Sequence, residues 1–223
     1  MKKAMLSPSL MCCDFLHLEQ QLRIFEKEGV EYLHIDLMDG HFVPNLTLGT
    51  DFVRQIKKAT RIPLDIHLMV ERPEEKIGWL ALGKGDLCSI HAESSAHVTR
   101  AVQAVRETGA GALLALCPAT PLPVLTELLP LLSGVLVMTV NPGFAGQKLV
   151  QGSIEKIGRV KRFLAESGFA DLPIEVDGNV SYENAVKMRR AGADIFVAGT
   201  SSVFGEADLS AGFRKMRKCL DEA

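Results

Sequence analysis

Leu33-His34-Ile35-Asp36-Leu37-Met38-Asp39-Gly40 reads as a short buried strand that ends in ionisable groups and a turn. His34 and Asp36 are two residues apart, so on a strand their side chains point the same way. Similar short apolar runs recur along the 223 residues, and strands are expected at 5–9, 33–37, 64–68, 87–90, 112–116, 135–139, 174–176 and 195–198. Several lack alternating polar residues, as happens where both faces of a parallel sheet are covered by protein. Longer amphipathic segments lie between them and predict helices, among them 14–28, 73–82, 96–107, 154–167 and 182–190. A refrain precedes three of the strands: Glu28-Gly29-Val30-Glu31, Gly83-Lys84-Gly85-Asp86 and Ala191-Gly192-Ala193-Asp194. A glycine there suits the left-handed conformation that ends a helix. Eight such strand–helix units in about 220 residues predict an α/β fold, the (β/α)8 TIM barrel. An open doubly wound sheet is the rival, because periodicity separates the two poorly. No linker or composition break divides the chain, so a single domain over 1–223 is expected.

Composition narrows the partners. A formal net charge of −2 supplies no field for nucleic acid or an anionic membrane, so any basic site must be local. No uncharged run approaches the ~20 residues of a membrane span. The start, Met1-Lys2-Lys3, is followed by an apolar stretch broken by Ser7 and Pro8, which lacks the core of a signal peptide. The cysteines (Cys12, Cys13, Cys88, Cys117 and Cys219) are odd in number and show no paired CxxC spacing. They read as reduced thiols, and the chain as cytoplasmic. Homo-oligomers are common among soluble proteins, so assembly is expected on general grounds alone.

Function in a barrel collects at the carboxyl ends of the strands. His34 and Asp36 lie there, as do His67 in Leu64-Asp65-Ile66-His67-Leu68-Met69 and Asp177 in Ile174-Glu175-Val176-Asp177-Gly178. Any one of these alone would read as a hydrogen-bonded core residue or a helix cap. Four at strand ends point instead to a shared cation, because unpaired buried charge is costly. Two imidazoles and two carboxylates suit Zn2+, Mn2+, Fe2+ or Co2+ without choosing between them. Asn141-Pro142-Gly143-Phe144-Ala145-Gly146-Gln147, Asp177-Gly178-Asn179 and Gly199-Thr200-Ser201 form glycine-bearing turns on the same expected rim. Such turns let backbone N–H groups approach a phosphate. Met11, Met38, Met69 and Met138 fall near strand ends, where they could wall a substrate or simply fill core gaps. His91 and Glu93 follow the fourth strand and are placed to orient a metal ligand. Trp79 reads as packing, and His17, His41 and His97 show no partner.

Five motifs, in order along essentially the whole chain, closely resemble the ribulose-phosphate 3-epimerase family. They are Ser7-Pro8-Ser9-Leu10, the stretch from His34 through Asp39-Gly40-His41-Phe42-Val43-Pro44-Asn45, His67-Leu68-Met69, Asn141 to Gln147, and Glu175-Val176-Asp177-Gly178. The resemblance implies a TIM barrel of the ribulose-phosphate-binding type, one divalent metal ion and a sugar phosphate substrate. Carried over by position, His34, Asp36, His67 and Asp177 look like the metal ligands, and Asp36 and Asp177 like the acid/base pair. Ser9 and His67 resemble substrate contacts; Gly143, Phe144, Ala145, Gly146, Gly178, Asn179, Gly199, Thr200 and Ser201 resemble the segments that hold substrate, largely its phosphate. Met11-Cys12-Cys13, Ala145, Asn179 and Gly199-Thr200-Ser201 depart from the usual pattern. Several of these look closer to the allulose-6-phosphate 3-epimerase branch.

The expected reaction is therefore metal-dependent 3-epimerisation of a ketose phosphate through an enediolate, one aspartate taking a proton and the other delivering one. The motifs place D-allulose 6-phosphate ⇌ D-fructose 6-phosphate first. The alternative is D-ribulose 5-phosphate ⇌ D-xylulose 5-phosphate, a pentose phosphate reaction. A decarboxylase or aldolase on a related barrel would need an Asp-x-Lys strand, where this chain has Asp65-Ile66-His67. A non-catalytic sugar-phosphate binder is the remaining rival, and retention of both aspartates beside both histidines argues against it.

Overall fold

The short apolar runs become strands of one sheet in the computed structural model, which describes residues 3–223. Met1 and Lys2, part of the start read above for a leader, lie outside the described residues. The strands are β1 (Met5–Pro8), β2 (Leu33–Asp39), β3 (Leu46–Thr47), β4 (Leu64–Met69), β5 (Leu87–His91), β6 (Gly111–Leu116), β7 (Gly134–Met138), β8 (Ile174–Asp177) and β9 (Ile195–Ala198). They run in the order β1-β9-β8-β7-β6-β5-β4-β2-β3. All pairs are parallel except that of β3, a two-residue strand folded back antiparallel on the end of β2. A parallel bridge between Ser9 and His34 joins the first barrel strand to the second and closes the ring. Closure excludes the open doubly wound sheet.

Helices α1 (Leu18–Lys27), α2 (Thr50–Ala59), α3 (Val98–Glu107), α4 (Ser153–Glu166), α5 (Tyr182–Ala191) and α6 (Leu209–Asp221) cover the outside. Each buries one stripe, such as Leu22 and Phe25 of α1 or Val53 and Ile56 of α2, at the three-residue spacing that keeps side chains on one face. Gly29 and Gly192 of the refrain follow α1 and α5 at positive φ (61° and 112°), as the sequence predicts, whereas Gly85 (96°) lies in a turn that ends no helix.

Two expectations fail locally. The helix expected at 73–82 is replaced by 3-10 turns at Pro73–Glu75 and Ile77–Trp79. Arg72 enters it in the left-handed region, Gly78 weakens its middle and Leu80 is already extended, so no α-helix propagates. Trp79, read as packing, is 58% exposed there. The helix expected from residue 14 begins at Leu18, because Asp14 caps a separate 3-10 turn, Phe15–His17, by accepting from Leu16 N–H.

The strands do alternate, but both faces are buried. On β2, Leu33, Ile35 and Leu37 pack into the core beneath the helices, as Leu64, Ile66 and Leu68 do on β4. Their neighbours His34, Asp36, Asp65 and His67 turn into the barrel, where Ser7, Ser9, Ser89, His91 and Glu175 are also buried. The opposite side of the interior is apolar, with Ala115 of β6 and Leu136 and Met138 of β7 packed together. The barrel is thus filled by a polar half and an apolar half.

Candidate active site

The polar half brings four side chains to one point. His34 and Asp36 from β2, His67 from β4 and Asp177 from β8 each offer an atom, all within 4.8 Å of one another. His34 Nε2 lies 3.3 Å from Asp36 Oδ1 and 4.0 Å from Asp177 Oδ2. His67 Nδ1 lies 3.1 Å from Asp36 Oδ1 and 3.6 Å from Asp177 Oδ2. The same-face reading of His34 and Asp36 is correct. Ser9 Oγ donates to the other oxygen of Asp36 at 2.9 Å.

One layer deeper, Asp65 orients His34. Its Oδ2 is 2.6 Å from His34 Nδ1 and accepts a hydrogen bond from Ser7 Oγ at 2.8 Å. With Nδ1 committed to that carboxylate, Nε2 is the nitrogen turned to the cluster, buried and without a well-directed hydrogen bond among the described residues. Glu175 lies beside Asp65. Burial and the Asp65 charge push its carboxyl well above the usual range, and neither of its oxygens has a directed hydrogen bond among the described residues.

The two cluster aspartates are driven apart by their surroundings. Burial would raise Asp36, but the two imidazoles beside it, His34 first and then His67, outweigh burial and hold the carboxyl far below its ordinary value. Asp177 is pushed up to about 7 by burial first, with Asp36 and Asp65 adding to the rise against the opposing pull of His34. Burial opposes charge on His34 too, yet Asp65 and Asp36 raise it well above an ordinary imidazole. The cluster therefore attracts positive charge. Its nitrogen and oxygen donors, and the unpartnered Nε2, fit a divalent cation.

A pocket of roughly 590 Å³, solvent at its mouth included, opens over Asp36 and Asp177. The expected contacts Ser9, Gly143, Phe144, Ala145, Gly146, Gly178, Asn179, Gly199, Thr200 and Ser201 all line it. His34 and His67 do not; both are fully buried behind the aspartates, so His67 makes no part of the wall. Met11, Met38, Met69 and Met138 all line the pocket, which favours the wall reading. Cys12, Val140, Gln147, Val180 and Val197 also line it. The quoted motifs pointed to Gln147, but no residue-level signal marked the two valines that follow Gly178 and precede Ala198.

Local chemistry explains how these loops meet. Gly178 has φ +110°, and a Cβ there would lie 2.6 Å from Val140 Cγ2. Asn179 has φ +47°, a conformation asparagine tolerates better than most residues. Its Nδ2 donates to Gln147 O at 2.6 Å, and Asn184 Nδ2 donates to its Oδ1 at 2.9 Å. Gln147 Nε2 in turn donates to Asn141 O at 2.6 Å and Phe144 O at 2.9 Å. Asn179 thus stitches the loop after β7 to the one after β8.

Residues 5–204 match the model of the ribulose-phosphate 3 epimerase family. The chain belongs to that family. It is an isomerase, an epimerase acting on carbohydrate phosphates. It is 43% identical over 211 residues to the ribulose-phosphate 3-epimerase of Bacillus subtilis (strain 168), covering 95% of this chain and 97% of the relative. It is 39% identical over 206 residues to the chloroplastic ribulose-5-phosphate-3-epimerase of Arabidopsis thaliana, covering 92% and 73%. Among solved structures, orotidine 5'-phosphate decarboxylase from Pyrococcus horikoshii OT3 superposes with a TM-score of 0.66 at 16% identity, covering 97% of this chain and 99% of that one. That likeness is of fold alone. No helix among the described residues is long and apolar enough to cross a membrane.

Proposed function

We propose that this epimerase interconverts D-ribulose 5-phosphate and D-xylulose 5-phosphate, as one barrel domain over the whole chain. The relatives' names favour this pentulose reaction over the allulose 6-phosphate reaction that the motifs placed first. His34, Asp36, His67 and Asp177 would hold one divalent cation, which when bound would act as a Lewis acid toward the substrate ketone and adjacent hydroxyl oxygens. The proton on C3 is removable because the ketone beside it can take up charge as an enediolate. Asp36, held ionised, is the acceptor of that proton in one direction. Asp177, whose carboxyl burial pushes up to about 7, would be the donor to the other face. In the reverse direction the roles exchange. The observation that carries this reading is two carboxyls on different strands, both lining one pocket, with opposite protonation preferences.

The turns at Gly143, Phe144, Ala145 and Gly146, at Gly178 and Asn179, and at Gly199, Thr200 and Ser201 would hold the phosphate end through backbone N–H groups. Ser9, bonded to Asp36, would orient that carboxylate beside the sugar hydroxyls. The test is solvent deuterium at C3, followed by NMR, with either sugar phosphate and added divalent metal. Deuteration of both pentulose phosphates is expected, with kcat/KM at least ~10-fold above that for allulose 6-phosphate, a ratio one extra hydroxymethylene can produce. A higher kcat/KM for allulose 6-phosphate would reinstate the hexulose reading. No exchange into either sugar would leave a binding protein.

A further inference from the structure

The geometry points to His91, fixed by Glu93, as the positioning residue that presents Nδ1 of His67 to the cation; this rests on the cation site proposed above. The argument runs along a chain of hydrogen bonds from the barrel rim to its centre. Lys156 of α4 donates to the carbonyls of Cys117 (2.6 Å), Pro118 (3.2 Å) and Thr120 (2.7 Å), fixing the loop after β6. That loop grips Glu93: Cys117 N–H donates to Oε1 at 3.1 Å, and Thr120 Oγ donates to the same oxygen. The other oxygen, Oε2, lies 3.2 Å from Nδ1 of His91.

An ionised carboxylate can only accept, so Nδ1 of His91 carries the proton. His91 is fully buried at the end of β5, where a charged ring is costly, so Nε2 of the neutral ring is a bare lone pair. Nε2 of His67 is 2.8 Å away, and two nitrogens at that distance share one proton. It must be the proton of His67. Neutral His67 then has a bare Nδ1, aimed at Asp36 Oδ1 and Asp177 Oδ2. Acceptor facing acceptor is unfavourable, and a cation between them resolves it. With a cation bound, His34 and His67 would thereby be held in opposite tautomers, one by Asp65 and the other by the His91–Glu93 pair.

Two other roles for this corner compete. Cys117 Sγ lies 3.5 Å from His91 Nδ1, and a thiol proton given to that nitrogen would invert both tautomers. A thiol is a weak donor, and the charged acceptor prevails. His91, Glu93 and Cys117 could also hold a second cation of their own, but a protonated Nδ1 cannot ligate one, and the Lys156 ammonium sits on the carbonyl of Cys117.

Long-range 1H–15N correlation on the 15N-labelled full chain loaded with Zn2+ reads the tautomers directly. The expected result is a proton on His91 Nδ1 and on His67 Nε2, and none on the other nitrogen of either ring. A proton on His91 Nε2 with Zn2+ still bound overturns the assignment and leaves the cation site standing. Failure of the wild-type chain to bind Zn2+ removes the cation site itself. His91→Gln keeps an acceptor near the former Nε2 and is expected to hold Zn2+ within ~3-fold of wild type by chelator competition. His91→Asn reaches only the former Nδ1 and is expected to lose ~10–100-fold, the usual cost of removing a ligand's orienting partner. Unchanged Zn2+ affinity in both His91→Asn and Glu93→Gln, or a second bound Zn2+ lost on Cys117→Ala, argues decisively the other way. Should His91→Asn not fold, the wild-type tautomers alone decide.

Discussion

Asp36 and Asp177 are the same residue type in one cluster, and their neighbours assign them different protonation states. Asp36 faces two imidazoles and the Ser9 hydroxyl; Asp177 meets mainly burial and other acids. Removing the titratable oxygen from either should therefore remove a proton-transfer group, not merely a contact. Asp36→Asn and Asp177→Asn are each expected to lower kcat by at least ~10²-fold in purified, folded protein; near-normal turnover by either would strip that residue of its role. His91 gives a second prediction at this scale. Its imidazole is held down to about 4 by burial, against an ordinary 6.5. Between those values the unfolded chain binds the proton more readily, so the native state is favoured above about 6.5 and loses up to ~3 kcal/mol as pH falls toward about 4. Glu93, lowered to about 2 from 4.5 despite its burial, extends the loss to lower pH. The fall in Tm between pH 6.5 and 4.5 should be shallower in His91→Gln than in wild type; equal slopes would show that His91 does not titrate in that window. The pairing of His34 with Asp36 was legible in the sequence, because a spacing of two on a strand fixes direction. Asp65 stood in plain view two residues before His67, yet its service to His34 was not legible, since it acts across the barrel on a residue 31 positions away.

At the scale of elements, the carboxyl ends of β7, β8 and β9 set the pocket, and the helices that follow hold their loops. Ser181 caps α5 by accepting from Asn184 N–H at 3.2 Å, and Asn184 in turn holds Asn179. Ser181→Ala should cost ~1 kcal/mol, a typical loss for such a cap. For a chain of this length that is a Tm drop of roughly 2–4 °C, readable by thermal melts; no change would mean that α5 is nucleated by packing alone. The strands and most helices were legible because their apolar spacing is regular. The segment 73–82 was not, because its apolar residues suit a helix while Arg72, Pro73 and Gly78 shape its backbone into 3-10 turns.

Across the whole molecule, the barrel gathers buried acids and imidazoles from β2, β4, β5 and β8 into its polar half. Folding must bring this charge together, so a cation that binds only the assembled cluster should stabilise the native state. At a free Zn2+ concentration 100 times Kd the gain is about 2.7 kcal/mol, or a Tm increase of roughly 5–10 °C over chelator-treated protein. Chelation should abolish turnover and added metal restore it; equal Tm and activity with and without bound metal would remove the cation from the proposal. The residues alone determined the strand–helix units, through periodicities of two and 3.6, the four strand-end side chains that cluster, and the family, through motifs contiguous in the chain. Only the tertiary structure decided how burial and neighbouring charge pull the two aspartates in opposite directions, which imidazole nitrogen faces the cluster and how Asn179 joins two loops. Those properties belong to burial and to hydrogen bonds between strands far apart in sequence, and no local pattern encodes them.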